Sequence, residues 1–329
     1  MSKMIILENV DAIVNSAGSV IAGDPKAINT HEADGHSTSA SEHMAIGGNL
    51  TSGEAQKVNF SSQSVIAGWS ATLNTKDYGS CASDGIDVIT ANGRRSGDNA
   101  KTDVIEKTSF ATSSSVSSWG TMSYAADAMG TGASDGTNAM IAGGYTGVGN
   151  YQTAVQLKSF ATDSTLVDGG SLVNQHCGYG AMASDGTHAL FMTTYSASGG
   201  SSGQVKKSWS DASYEEVWAS NLTGHWGGNA VSNKEVAVEA GGSGMGFNEK
   251  TYSKVAWADK STAEDWGEME IRRHAPSASS DGTNMIFACG GGGDGTRSDS
   301  EIKAFASGST TAYGAMTHYG EGQMGGSGN

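Results

Sequence analysis

Five histidines are the residues whose type and spacing could do chemistry. His176, His225, His274 and His318 follow one another at separations of 49, 49 and 44 residues, and His31 holds a similar place earlier in the chain. Repeated imidazoles brought around one opening could bind an anion or a metal ion, or respond to pH near neutrality. The same rings could instead bond neighbouring backbone and do no chemistry. Which reading holds depends on whether the chain carries them on equivalent elements.

Other candidate sets are weaker. A copper centre built from a tyrosine, a cysteine and two histidines needs convergence, and no spacing here indicates it. The acids of residues 294–301 (Asp-Gly-Thr-Arg-Ser-Asp-Ser-Glu) lack the full spacing of a calcium loop and read as a solvated loop. Cys81, Cys177 and Cys289 are odd in number and lie outside any Cys-x-x-Cys pair, so small buried thiols are expected rather than a disulfide frame or a zinc site. No nucleophile–base pair stands out. The sequence therefore predicts no catalytic, metal or cofactor-binding residue, and a protein that is not an enzyme.

The elements that would position the histidines come from an internal repeat, which is the first thing to seek in such a chain. Ser83-Asp84-Gly85 returns as Ser134-Asp135-Gly136, Ser184-Asp185-Gly186 and Ser280-Asp281-Gly282. Ser41-Glu42-His43, Ser232-Asn233-Lys234 and Ser327-Gly328-Asn329 read as degenerate copies. An apolar run follows most of these turns, as in Val88-Ile89, Ala139-Met140-Ile141 and Met285-Ile286-Phe287. Four of the runs end in a glycine pair: Gly47-Gly48, Gly143-Gly144, Gly241-Gly242 and Gly290-Gly291. An aromatic then recurs at Phe60, Phe110, Phe160, Trp209, Trp257 and Phe305. Behind it come Trp69, Trp119, Trp218, Trp266 and Tyr313, with Asp24 and Asp168 in the remaining copies. Ser109-Phe110-Ala111-Thr112 and Ser159-Phe160-Ala161-Thr162 are identical apart from position, and Ser19-Val20-Ile21-Ala22-Gly23 returns intact at residues 64–68.

Each unit reads as four strands. The first is small in bulk, an Asp-Gly hairpin turn with positive φ at both central residues follows, and the second strand is apolar on both faces. The third and fourth strands carry the aromatics. One such meander cannot bury both faces alone, and radial stacking of copies solves this. Counting Met4-Ile5-Ile6-Leu7 as a second strand without a first gives seven units, and residues 322–329 form a first strand without a second. The expectation is one all-β domain over 1–329: a seven-bladed, kelch-like β-propeller closed by pairing of its N- and C-terminal strands. In that ring the five histidines would circle one mouth of the channel.

Composition narrows the partners. The formal net charge of -15 argues against nucleic acid, whose phosphates need a basic surface. The apolar run at the N-terminus is too short for the core of a signal peptide, and no stretch approaches the length of a membrane helix. Synthesis and assembly in a cytoplasm are expected.

The order of small inner strand, turn, apolar strand, Gly-Gly, aromatic and tryptophan resembles the kelch repeat, best in Trp266, Arg273-His274, Ser280-Asp281-Gly282, Met285-Ile286-Phe287 and Gly290-Gly291. The resemblance spans the whole chain. It departs from the family where the third-strand tyrosine is Phe or Trp and where two copies lack the glycine pair. Kelch repeats often place a histidine before the inner strand to bond neighbouring backbone, and the resemblance favours that role for the five. The turns lack the Thr-Trp that follows in sialidase Asp-boxes. The chain is also similar to kelch-like virion proteins of tailed bacteriophages, in its Ser-Asp-Gly-Thr turns and in Gly290-Gly291-Gly292-Gly293. That likeness implies a non-enzymatic virion component, in the tail or on the capsid surface, whose partners are other virion proteins. A host-surface glycan adhesin and a cytoplasmic kelch scaffold are the alternatives.

Overall fold

The computed structural model describes residues 42–46, residues 54–313 apart from gaps of one to five residues, and residues 327–328. The chain separates into two units, Met1–Ala33 and Asp34–Asn329, and every described residue lies in the second. Among the described residues all regular structure is β.

Five blades are each built from one continuous stretch of chain, with four strands paired antiparallel in sequence order. Blade I is Ser80–Ser83, Asp87–Ala91, Val104–Ser109 and Ser117–Thr121. Blade II is Gly132–Ser134, Asn138–Ala142, Ala154–Ser159 and Val167–Ser171. Blade III is Gly178–Ser184, His188–Ser196, Gly203–Ser208 and Glu215–Ser220. Blade IV is Trp226–Ser232, Val236–Gly244, Thr251–Ala256 and Glu264–Glu268. Blade V is Ser277–Ser280, Asn284–Ala288, Ser300–Ala304 and Thr310–Tyr313. A further sheet of the same order is composite. Glu42–Ile46, Glu54–Asn59 and Val65–Ala71 supply its second to fourth strands, and Ser327–Gly328 supplies the first.

The inner strands neighbour one another in a closed circuit, from blade I through blade V to Ser327–Gly328 and back to Ser80–Ser83. The fold is thus a β-propeller, but the count of seven blades and the closure expected from the sequence are both wrong. The last strand does act as a first strand. It pairs with the strand Glu42–Ile46, through His43↔Gly328 and Met44↔Ser327, and not with Met4-Ile5-Ile6-Leu7. That tetrapeptide lies outside the described residues. The register exposes the error. Glu42 faces Asn59 in the third strand as Asp87 faces Ser109 and Asn138 faces Ser159. Ser41-Glu42-His43 is therefore no turn copy: Glu42 already opens a second strand. Ser327 and Gly328 likewise lie in a strand.

The turns differ from expectation in one respect. Only the glycine takes positive φ, at 87° for Gly85 and 83° for Gly136. The aspartate instead works as an acceptor: Asp84 Oδ1 receives the N–H of Ile86 at 2.8 Å and of Asp87 at 2.7 Å, while Ser83 Oγ receives Gly85 N–H. Asp135, Asp185 and Asp281 repeat this, and Asn233 does so in blade IV. Asp and Asn are favoured here because a short side chain can satisfy the turn's own N–H groups.

Second strands pack on both sides, as their apolar character requires. Met140 and Ala142 of blade II face Ala189 and Phe191 of blade III, and Val238 and Ala240 of blade IV face Met285 and Phe287 of blade V. Ile286 and Ala288 of blade V meet Val58 and Phe60 of the composite sheet, so the apolar contact also closes on itself.

Toward the rim the contact changes to lysine on tryptophan. Lys57 lies 3.6 Å over the Trp69 ring and donates to Phe110 O of blade I at 3.0 Å, while Trp69 Nε1 donates to Ser109 O. One interface on, Lys107 lies 3.5 Å over Trp119 and donates to Phe160 O, while Trp119 Nε1 donates to Ser159 O. The identical tetrapeptides starting at Ser109 and Ser159 are thus the acceptors of identical staples. Lys206 over Trp218 and Lys254 over Trp266 repeat the cation–ring contact. The glycine behind tryptophan has its own purpose. Gly120 sits at φ 115°, and a Cβ there would come within 3.2 Å of Lys158 Nζ, a side chain of blade II that is buried beside Trp119.

Removing residues 322–329 should open the circuit and lower the melting temperature, which differential scanning calorimetry would read; an unchanged value would contradict the closure. Gly120→Ala should cost about 2 kcal/mol in a urea titration, since the backbone there suits glycine and the added carbon presses on the lysine.

Candidate functional site

A meander that runs radially puts the first-to-second and third-to-fourth turns at one end of each blade. The second-to-third hairpins and the links between blades fall at the other. The first end is closed by the aspartate turns. The second end carries the longer segments, and there the link before a blade bridges to that blade's own hairpin. Lys76–Asp77 pairs with Arg94–Arg95, Asp127 bridges Tyr145, and His274 bridges Gly291. This loop face is the candidate functional surface.

His274 belongs to it. Its N–H and carbonyl exchange hydrogen bonds with Gly291 at 2.7 Å in each direction. The next residue, Ala275, donates to Gly227 O of blade IV at 2.7 Å, and Asn229 Nδ2 donates to Pro276 O. The ring itself packs on bare backbone, because a Cβ at Gly227 would lie 2.5 Å from Nε2. His31, His176, His225 and His318 lie outside the described residues. The equivalent bridge positions hold Asp77, whose backbone alone is described, and Asp127.

Around Asp127 and Arg94 the face gathers aromatic rings and cations. Lys101 Nζ lies 3.1 Å from Asp127 Oδ2 and 3.7 Å over the Tyr145 ring. Tyr145 and Tyr151, on the two arms of the blade II hairpin, stand 5.2 Å apart. The Arg94 guanidinium lies 4.5 Å over Tyr78, and Arg95 pairs with Asp98 at 2.7 Å. Among the described side chains, three cations here (Arg94, Arg95, Lys101) are matched in number by three carboxylates (Asp98, Asp103, Asp127) in the same loops. Tyr78, Arg94, Lys101, Tyr145 and Tyr151 are all half-buried, which leaves each with an accessible edge. None of these residues stands out in the sequence. The signal that could have found Asp127 is its place in the link, seven positions before Ser134, close to the six that separate His274 from Ser280.

A second polar group is internal. Arg273 is buried and donates through Nη1 to Cys289 O at 3.1 Å and Asp299 O at 2.8 Å, and through Nη2 to Asp299 Oδ2 at 3.1 Å. Nearby, Tyr252 Oη donates to Glu301 Oε1 at 3.1 Å, and Glu301 Oε2 accepts the N–H of Glu270 from the end of blade IV. Gln156 makes the same reach from blade II, accepting Ser123 N–H at the end of blade I. The Tyr252–Glu301–Glu270 and Gln156–Ser123 contacts join neighbouring blades, while Arg273 ties the link before blade V to that blade's own hairpin. Burial holds the Glu301 carboxyl above its usual range, against the opposing pull of its hydrogen bonds and Arg273. Burial, then the Glu301 charge, holds the Tyr252 hydroxyl well above 10. Among the described residues no group of three or more His, Cys, Asp and Glu is arranged to hold a metal ion.

No family model and no curated protein matches the chain. Among solved structures, 255 chains match, and one of them, the structure of YjhT, reaches a TM-score of 0.65 over 83% of this chain and 94% of that one. The two are 11% identical in sequence, so the likeness supports the β-propeller fold and nothing finer.

Both buried groups bind a proton more tightly in the folded chain than in the unfolded one. The stability they contribute is complete below the unfolded values and is lost as pH rises. Glu301→Gln should therefore be most costly, relative to the parent, below the usual carboxyl value of 4.5, with the gap narrowing as pH rises. Tyr252→Phe should remove part of the loss of stability above pH 10. Urea midpoints measured at a series of pH values would check both, and a gap that widened with pH would contradict the assignment.

Proposed function

We propose that this chain is a kelch-type propeller that serves, without catalysis, as a structural and protein-binding part of a tailed-phage virion, in the tail or on the capsid surface. The observation that carries the binding role is the tyrosine–cation group of the loop face. Tyrosine and arginine are the residues that anchor protein interfaces, and here they are held by short hairpins on a rigid ring. Charge balance within the group suits a protein partner better than nucleic acid.

The kelch assignment draws on the backbone at the glycine pairs. Gly143–Gly144 take φ of 68° and 109°, and Gly241–Gly242 take 77° and 103°. Asn92–Gly93 adopts the same pair of angles in a copy that lacks the glycine pair, and Cys289–Gly290 does so in blade V, one residue before the pair Gly290-Gly291. The phage assignment draws on the Ser-Asp-Gly-Thr turns and glycine runs of the sequence. Assembly would take place in the host cytoplasm.

Glycan attachment is the weaker reading. Sugar-binding tyrosines need an open ring face, and Tyr78 and Tyr145 each have a cation over one face. Two further tyrosines that could stack on a sugar, Tyr195 and Tyr319, have side chains outside those described.

Mass spectrometry of purified particles should find the protein at a fixed ratio to the major capsid protein. Arg94→Ala together with Tyr145→Ala should lower its incorporation by about tenfold or more, as expected when interface anchors are removed. Absence of the unaltered protein from particles would overturn the proposal.

A further inference from the structure

Lysine and tryptophan of one blade staple its rim to the next, and the register of the sheets shows an interface where both are missing. In blade I, Lys107 faces Ser117, Glu106 faces Ser118 and Ile105 faces Gly120, which leaves Trp119 between the last two. In blade II, Leu157 faces Val167, Gln156 faces Asp168 and Ala154 faces Ser171. Gly170 takes a positive φ as Gly120 does, at 82° against 115°. Leucine therefore stands in the lysine place, and Gly169, not Asp168, stands in the tryptophan place. At the interface of blades I and II the staple ends on the carbonyls of Ser159 and Phe160. Ser208 and Trp209 hold those positions in blade III, since Ser208 faces His188 as Ser159 faces Asn138. Neither Gly169 nor Leu157 has a side-chain donor for them.

Blade III does not replace the missing ring. The three atoms nearest a Cβ at Gly169 all belong to Val155 of the same sheet. The gap is apolar on both sides. Leu157 packs with Val205 and Trp209 of blade III, so that face of blade II looks toward blade III. Val167 lies across from Leu157 and shares its face, while Val217 lies across from Val205 and looks back at blade II. Val167 is 59% exposed and Val217 65%, and among the described residues only Ile86 is another large apolar side chain so exposed. The matching places are polar elsewhere. They hold Ser117 and Asp168 between blades I and II, and Glu216 and Asp265 between blades III and IV.

We infer that the rim gap between blades II and III binds a protein segment that presents a tryptophan beside a lysine or arginine, and so receives from outside the staple it lacks. The other gaps show the shape that fits. An ammonium lies over an indole there, Lys107 on Trp119 at 3.5 Å and Lys206 on Trp218 at 3.4 Å. Charge favours the same occupant. Glu215, Asp211 and Asp168 all act on the ammonium of the buried Lys207, so three carboxylates meet one cation at this gap, and a basic segment complements them. The chain's own N-terminal residues do not fit, because residues 1–41 contain no Phe, Trp or Tyr. Tryptophan also ranks among the strongest anchors of protein interfaces once its ring is desolvated. The gap is separate from the loop face, and the inference does not rest on the virion reading.

The experiment is an NMR titration of the full chain, read at methyl and indole groups, with acetyl-Lys-Trp-Lys-amide as the probe. Shifts should be confined to Leu157, Val167, Val205, Val217 and Trp209, with a Kd of about 1 mM for so small an anchor. Acetyl-Lys-Ala-Lys-amide should leave the spectrum unchanged, and acetyl-Glu-Trp-Glu-amide should bind about fivefold more weakly at low salt. Val167→Asn together with Val217→Asn should weaken the first peptide by about fivefold. The melting temperature should not move, because both side chains lie at the surface. No shifts, shifts elsewhere, binding indifferent to the peptide's ring or charge, or a variant that binds as the parent does would overturn the inference. A fall in the variant's melting temperature would overturn it too, since the valines would then be covered by the chain itself.

Discussion

The structure depends on one constraint: each second strand is apolar on both faces and must be covered on both. A flat stack of such sheets would always leave two faces bare, whereas a ring leaves none. Closure is therefore not an ornament of the fold but the condition for burying its core. The chain meets the condition with Ser327–Gly328, which completes a sheet begun near the other end of the chain at Glu42–Ile46. Apolar packing of Ile286 and Ala288 on Val58 and Phe60 then seals the last interface.

The radial gradient in side-chain size follows from the same geometry. Near the axis the sheets crowd, and Ala181, Ala183 and Ala230 meet there. Farther out the gap widens and is filled by tryptophan and the long stems of lysine. An ammonium in such a place needs its charge met, and ring faces, backbone carbonyls and a few carboxylates meet it. Desolvation still leaves a mark, since it holds Lys206, Lys207 and Lys303 below the usual lysine range.

Much of this was legible in the sequence because it depends on side-chain identity. Ser-Asp-Gly marks a turn because the aspartate itself is the acceptor, and the recurring aromatics mark rim positions because only a large ring fills them. What was not legible depends on backbone or on arrangement. The sequence marked the Met4 run as the second strand lacking a first, whereas pairing in space gives Ser327–Gly328 to Glu42–Ile46. The loop face was hidden for a related reason. Its bridges are made by N–H and C=O groups that every residue but proline offers, so Asp77, Asp127 and His274 hold one structural place without sharing a chemical type. The histidine spacing follows the length of the repeat, and of the five only His274 lies among the described residues.

The lysine staples carry a consequence for chemical probing of the protein. Lys57, Lys158, Lys207 and Lys303 are each at most 6% exposed, although lysine is ordinarily the most accessible of side chains. An acylating reagent would meet these amines only when neighbouring sheets part. Their modification would then time the breathing of the ring, interface by interface, while the amines at the surface react at once.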